Sequence, residues 1–278
     1  MISKCLFPAA GYGTRFLPAT KSIPKEMLPI VNKPLIQYGV EEALQAGMHD
    51  IAIVTGKGKH AIEDLFDRNA ILEKAVAGSD KEQLLEETNR LIESCTFSYT
   101  RQKQMRGLGD AILTGEPLVG NQPFGVVLAD DLCIGDHEED GVLRQMTEVY
   151  AKYRCSIVAI EEVDPSETHK YGVIAGIEVE PGLYHVKEMV EKPAPEEAPS
   201  NLAIIGRYIL TPDIFDWLRR TEPGKGGEIQ ITDALEQQAK NGRVLAYRFR
   251  GRRFDCGSVH GFVEATNHFY EKCFGSAD

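Results

Sequence analysis

Positive charge is scarce in this sequence: the 278 residues include 31 Lys and Arg against 42 Asp and Glu, a formal balance of −11. A surface that coats nucleic acid or an anionic membrane needs clustered cations that release counterions, so neither partner is expected. A small phosphate-bearing ligand is not excluded. Long apolar runs are missing too. The longest reach four or five residues, as at Val126-Val127-Leu128-Ala129, where a membrane helix needs about 20. The stretch after Met1 is interrupted by Lys4, Pro8 and Gly11 and does not read as a signal peptide. Six cysteines (Cys5, Cys95, Cys133, Cys155, Cys256, Cys273) form no C-x-x-C pair, and seven histidines form no H-E-x-x-H spacing. Those absences argue against a disulfide framework and a His/Cys metal site, and a reduced, cytoplasmic setting is expected.

What is present is ordinary globular composition. With 42% hydrophobic and 26% charged residues, wholesale disorder is excluded. Short β-rich runs at residues 4–7, 51–55, 97–102, 126–128 and 156–160 alternate with helical patterns at 35–46, 81–93, 109–118 and 141–152. Strands apolar on both faces and separated by helices predict an α/β fold, with a Rossmann-like, mixed but mainly parallel central sheet flanked by helices. After Val163 the rhythm changes. Runs at 173–179, 183–190 and 202–210 follow one another across turn-like Pro and Gly, which predicts a small antiparallel elaboration inserted in or appended to the sheet.

Residues 193–199, with three prolines, read as a loop, and Thr211-Pro212 as an N-cap with proline at the first helical position. Residues 258–273 read as a helix whose Phe262 and Phe269, with Phe274 just beyond, fit packing within the chain or on a neighbour. A single domain over 1–278 is expected, with a core over about 1–163 and a second part over about 164–278.

Directly after the first strand stands Ala9-Ala10-Gly11-Tyr12-Gly13-Thr14-Arg15. Two glycines flanking one residue let backbone amides approach phosphate oxygens, while Arg15, Lys21 and Lys25 supply charge. Neither common phosphate loop fits: G-K-[ST] is missing, and Arg15-Phe16 occupies the place of a third dinucleotide-fold glycine. An NAD-binding oxidoreductase is therefore the weakest reading. A tight turn with surface cations would explain the glycines alone equally well.

The continuation decides between them. The run G-x-G-T-R-x-x-P-x-T-K, then P-K-E-M-L-P and K-P-L-I, resembles the N-terminal signature of the sugar-1-phosphate nucleotidyltransferases. The resemblance extends through Arg101-Gln102, Gly107-Leu108-Gly109, Leu128-Ala129-Asp130-Asp131, Tyr171-Gly172-Val173-Ile174, Val190-Glu191-Lys192-Pro193, the run 227–233 and Phe254-Asp255-Cys256-Gly257, covering nearly the whole chain.

It implies the nucleotide-diphospho-sugar transferase fold, with a nucleotide-binding core and a sugar-binding second part. The implied reaction is uridylyl transfer from UTP to α-D-glucose 1-phosphate, giving UDP-glucose and pyrophosphate with Mg²⁺, in a homo-oligomer such as a dimer or tetramer. Arg15, Lys25 and Lys192 become the catalytic cations. Ala10, Gly11, Gly13, Thr14, Glu26, Gln102, Gly107 and Asp131 become nucleotide-binding, and Gly172, Glu191 and Glu228 sugar-binding. Asp130 and Asp255 become the metal ligands. The same chemistry with dTTP, CTP or another sugar 1-phosphate is the alternative, and a noncatalytic nucleotide-sugar-binding regulator is a second.

Residue chemistry alone leaves each assignment open. Asp130-Asp131 follows an apolar strand and could cap the next turn; adjacent residues on an extended chain point to opposite faces, so one ion would not be gripped equally by both. Asp255 could cap a helix beginning near Ser258. Glu191-Lys192 could be an exposed ion pair. Cys256 reads as a packed small residue, and residues 137–140 as a solvated acidic turn. The sequence departs from the family pattern at Lys103-Gln104-Met105-Arg106, which is more apolar in the family, and at Asp110, where the family has histidine.

Overall fold

The computed structural model describes residues 2–137 and 140–275. In chain order its strands are β1 (Lys4–Pro8), β2 (Pro29–Ile30), β3 (Lys33–Pro34), β4 (Asp50–Thr55), β5 (Thr96–Arg101), β6 (Phe124–Val127) and β7 (Asp131–Gly135). They continue with β8 (Ser156–Glu162), β9 (Gly172–Glu180), β10 (Leu183–Glu191), β11 (Leu202–Leu210), β12 (Val244–Arg248) and β13 (Gly251–Asp255). Nine of them form one sheet in the order β5-β4-β1-β6-β11-β8-β12-β10-β9. Strands β5, β4, β1 and β6 are mutually parallel, as are β8 and β12; β11 runs against β6 and β8, and β10 against β12 and β9.

The mixed, mainly parallel sheet expected from the apolar runs is therefore present. Its antiparallel elaboration is inserted as well as appended, because β11 lies between β6 and β8. One buried cluster, including Phe7, Ile36, Val127 and Leu143, covers one face, and another, including Leu6, Phe124, Tyr208, Leu210 and Leu235, covers the other. A third packs the C-terminal helix Val259–Phe274 on Leu28, Ile30, Leu35 and Phe254. Phe262 and Phe269 join this third cluster, whereas Phe274 is exposed.

Three local expectations need correction. The helix expected over 109–118 is two, Leu108–Thr114 and Glu116–Val119. Gly115 between them lies so close to β1 that a Cβ there would meet Leu6 Cδ1 at 2.5 Å. Thr211 does not cap the next helix, which is Ile214–Arg220. Its Oγ1 is held by Gln238 Nε2 at 2.9 Å and lies 3.0 Å from Ser156 Oγ, so Thr211 is committed to the end of the sheet. Finally, Asp130-Asp131 does not end a strand: β6 stops at Val127, and Asp131 opens β7, which pairs with β13. Sequence patterning also missed the helix Ile231–Lys240 and the strands β7, β12 and β13. Of the 137–140 turn, Glu138 and Glu139 lie outside the described residues.

A buried ion pair ties the inserted strand to the core. Arg207 on β11 is 1% exposed and donates Nε and Nη2 to Glu42 Oε2 at 2.9 and 2.8 Å. The other Glu42 oxygen accepts from the Leu143 amide at 3.0 Å, so both carboxylate oxygens are satisfied, as burial of a charge demands.

Candidate active site

Ligands of open α/β sheets bind beyond the carboxyl ends of the strands. Here β1 runs into the glycine loop, β5 into Gln102 and β6 into Leu128-Ala129-Asp130. The loop is a set of short 3₁₀ turns, Thr14–Phe16, Ala19–Lys21 and Lys25–Met27. Gly13 takes φ 66°, a left-handed conformation that favours glycine, and its carbonyl accepts from Thr20 Oγ1 at 2.7 Å. A Cβ at Gly13 would press on Lys25 Cβ at 3.0 Å. The glycine thus lets the loop fold over the lysine.

The cleft has two lobes. One, of about 380 Å³, is lined by Ala10, Gly11, Gly13, Thr14, Lys25, Gln102 and Gly107. The other, of about 820 Å³, is lined by Arg15, Asp131, Gly172, Glu191, Lys192 and Asp255. Asp130 and Glu228 line both, so the lobes meet at these carboxylates. Of the site residues assigned from sequence, only Glu26 lines neither lobe. It is 1% exposed behind Lys25, and its Oε2 accepts from Lys59 Nζ at 2.6 Å, while its buried Oε1 has no partner among the described residues. Burial pushes the Glu26 carboxyl up, against the pull of Lys59 and Lys25.

Asp130 and Asp255, far apart in sequence, are brought to one place by the β7–β13 pairing, in which Asp131 stands opposite Asp255. Asp130 Oδ2, Asp255 Oδ1 and Arg15 Nη1 all lie within 3.3 Å of where a Gly257 Cβ would stand. Asp130 accepts from Lys25 Nζ at 2.5 Å. Burial opposes its charge, but the Lys25 ammonium outweighs burial and holds the carboxyl below its usual range. Asp255 is pushed up, first by burial and then by Asp131, with Arg253 offsetting part of the effect. Its Oδ1 accepts from the Gly257 amide at 3.1 Å, and the helix cap is Ser258, whose Oγ accepts from Gly261 N. The capping role considered for Asp255 therefore belongs to Ser258.

Among the described residues no cluster of three or more His, Cys, Asp or Glu could hold a metal. Two carboxylates nonetheless fit a hard cation that takes its other oxygens from phosphate and water.

Asp131 has partners different from those of Asp130. It accepts from Gly206 N and from Arg253 Nε, both at 2.6 Å, and Gly206 is the place where β11 loses register between Ile204 and Tyr208. Arg253 also reaches Glu161 at 2.5 Å and stands over the Tyr171 ring. In the larger lobe, Glu191 accepts from Lys192 Nζ at 2.7 Å and from Thr232 Oγ1 at 2.6 Å. Gly172 leaves room for that contact, since its Cβ would lie 2.9 Å from Thr232 Oγ1. Between the lobes, Gly107 at φ 92° approaches so closely that a Cβ would meet Glu228 Cβ at 2.7 Å. Backbone bonds from Ile229 N to Arg106 O and from Gly109 N to Ile229 O fasten this approach.

Sequence reasoning missed Lys59, Thr232 and Arg253. The run 227–233 contains Thr232 and Arg253 precedes Phe254-Asp255, so two of the three stood inside or beside recognisable motifs, whereas Lys59 had no local signal. Cys256 is buried among apolar residues, and burial pushes its thiol up to about 12, as befits a packed rather than a reactive cysteine.

A sheet that gathers phosphate donors, cations and carboxylates at its carboxyl edge places the chain in the class of α/β nucleotide-binding proteins. Comparison with known proteins narrows the class. The family model described as Nucleotidyl transferase matches residues 6–272, and the chain belongs to that family. It is 68% identical over 271 residues to a UTP–glucose-1-phosphate uridylyltransferase of Pseudomonas aeruginosa, covering 98% of this chain and 97% of that one. Among solved structures, an apo UDP-glucose pyrophosphorylase matches with TM-score 0.95 and 63% identity, covering 99% of this chain and 100% of that one. A UDP-glucose pyrophosphorylase complexed with UDP-glucose matches with TM-score 0.90 and 63% identity, covering 98% and 100%. Among the described residues, no helix is long and apolar enough to cross a membrane.

Proposed function

We propose that this protein transfers the uridylyl group of UTP to α-D-glucose 1-phosphate, releasing pyrophosphate and giving UDP-glucose. The observation that carries the reading is the junction of the two lobes at Asp130, one lobe bearing the glycine loop and Gln102, the other Glu191 and Lys192. The family and the high identity to uridylyltransferases over nearly the whole chain support it.

In this reading the triphosphate lies along the amides of Gly11, Gly13 and Thr14, with its base against Ala10, Gln102 and Gly107. Glu26 and Asp131 act from behind, Glu26 on Lys25 and Asp131 on the floor between the lobes. Glu191, Gly172 and Glu228 shape the sugar subsite, and Lys192 holds the sugar phosphate. A phosphate monoester, with a second pKa near 6, is largely ionised at neutral pH and needs no dedicated base.

One of its oxygens attacks the α-phosphorus in line. The bond from that phosphorus to the α–β bridging oxygen breaks, and its electron pair leaves with pyrophosphate. Arg15 and Lys25 neutralise the leaving phosphates. Asp130 and Asp255 would hold Mg²⁺, which when bound supplies charge neutralisation to the phosphate oxygens.

The chain works as a single domain, with a nucleotide-binding core over about 1–163 and a sugar-binding part over about 164–278. We place it in the cytoplasm as a homo-oligomer, a dimer or tetramer. Exposed Val259, Val263, Tyr270 and Phe274 on one C-terminal helix support self-association, which light scattering after gel filtration tests.

Pyrophosphate release with glucose 1-phosphate, measured across UTP, dTTP, CTP, ATP and GTP, decides the activity. A preference for any nucleotide other than UTP overturns the uridylyl assignment. Tight UDP-glucose binding without exchange of labelled pyrophosphate into UTP would identify a regulator instead.

A further inference from the structure

Gln102 presents a primary amide to the smaller lobe, and an amide reads a base only if its two ends are kept from exchanging places. Nitrogen and oxygen are nearly isosteric, so an amide free to turn over accepts from one base and donates to another. The side chain is 6% exposed at the end of β5. Its Nε2 lies 2.7 Å from Asp110 Oδ2 and 3.3 Å from the Gly107 carbonyl. Both partners are acceptors without a proton to give, so only the NH₂ end can face them. Among the described residues no donor reaches Gln102 Oε1. The carbonyl is left as the group the lobe offers to a ligand.

Asp110 is itself fixed. It is 5% exposed on the first turn of the helix Leu108–Thr114. Its Oδ1 accepts from Arg106 Nη2 at 2.6 Å and Nε at 3.1 Å, leaving Oδ2 to Gln102. One oxygen is anchored by a guanidinium, and the other orients the amide. The carbonyl of the anchoring Arg106 accepts from Ile229 N, so the backbone carrying it is tied to the wall between the lobes.

We propose that Asp110 is a positioning residue for base selection. By holding the Gln102 amide with its carbonyl toward the lobe, it admits pyrimidines with a protonated N3, uracil and thymine, and rejects cytosine. The N3–H of uracil donates to a fixed acceptor. The bare N3 of cytosine would set its lone pair against the same oxygen, and turning the amide to suit it would set Oε1 against the Asp110 carboxylate. This rests on the reading that the base of the nucleotide lies against Gln102, and the test separates the two.

Calorimetric binding of UTP, CTP and 3-methyl-UTP to the full chain, wild type and D110N, reads the inference without turnover. Wild type is expected to favour UTP over both others by about a hundredfold, as buried hydrogen-bonding sites do. In D110N the one remaining oxygen stays with the Arg106 guanidinium and the new NH₂ faces Gln102, which no longer favours the NH₂ end of the Gln102 amide there, so the UTP to CTP affinity ratio should fall at least about tenfold, with the KM for glucose 1-phosphate nearly unchanged. D110S, which removes the charge and shortens the side chain, is read in the same way if D110N does not accumulate as folded protein. An unchanged ratio, or equal losses for UTP and CTP as a merely structural role would give, overturns the proposal. So does wild-type binding of 3-methyl-UTP as tight as that of UTP. An enzyme that binds UTP selectively but releases no pyrophosphate would refute the catalytic reading while leaving this one standing.

Discussion

Lys25 Nζ donates to Asp130 Oδ2 at 2.5 Å across 105 positions of sequence, joining the glycine loop to the turn between β6 and β7. The pair lies where the two lobes meet, and its members have opposite tasks in the proposed reaction: the cation toward phosphate, the carboxylate toward Mg²⁺. Each holds the other in the charged form, with Lys25 raised against the pull of its own burial chiefly by Asp130. A metal–triphosphate complex, itself a cation beside an anion, offers both residues an exchange of partner with little change in local charge.

That relationship makes the carboxylate a demanding position. D130N, and separately D255N, should lower turnover by roughly a hundredfold or more if each positions the metal, measured as pyrophosphate release in saturating Mg²⁺. Turnover close to wild type in either variant removes that aspartate from the metal site.

Gly172→Ala should separate the two substrates. The added Cβ would press on Thr232 Oγ1 at 2.9 Å and Glu191 Oε2 at 3.3 Å, displacing the carboxylate that shapes the larger lobe. We expect the KM for glucose 1-phosphate to rise about tenfold while that for UTP moves less than about twofold, because only the sugar side of the cleft is disturbed. Equal rises in both would show that the strain spreads to the nucleotide lobe.

Glu42→Ala tests the buried pair under β11. It would leave the Arg207 guanidinium, 1% exposed, without its carboxylate, and breaking such a pair from one side costs about 3–5 kcal/mol. Urea denaturation should show this loss of stability. A change below about 1 kcal/mol would mean that the guanidinium finds another partner or water.

Acid should weaken the fold partly through Asp213. Burial acts to raise its carboxyl, but hydrogen bonds from Thr211 and from Gln238 Nε2 at 3.0 Å, with Arg243 at 3.4 Å, bring it below its ordinary value of 3.8. The unfolded chain then binds the proton more tightly, so the contribution is complete above that ordinary value and is lost as pH falls through the folded one. D213N should be less stable than wild type at about pH 6, and the gap should shrink toward about pH 3. A gap that stays constant with pH would assign the loss to packing rather than charge.

Much of the fold was readable because its strands bury both faces. The runs at 4–7, 51–55 and 126–128 had no polar face to present to water, so a covered sheet was their only stable use. Strands β7, β12 and β13 are no shorter than β1 or β6, but sequences such as Gly-Arg-Arg-Phe-Asp for β13 mix charge and apolar residues with no alternation that signals a face. Their side chains are arranged by partners that patterning does not see, Asp131 and Glu161 for Arg253 among them.

The amino-acid order by itself determined the glycine loop, its cations and the alternation of helix and strand, since φ preferences, local charge and apolar periodicity act between near neighbours. Tertiary structure decided which groups meet. Lys25 finds Asp130 only because β1 and β6 are adjacent parallel strands, and Asp255 reaches the same place only through the β7–β13 pairing. The choice of Asp110 rather than solvent as the partner of Gln102 depends on a loop fastened to Ile229 from the far side of the cleft. Such contacts are fixed by burial and by the need to satisfy every buried polar group, conditions that exist only once the chain has closed on itself.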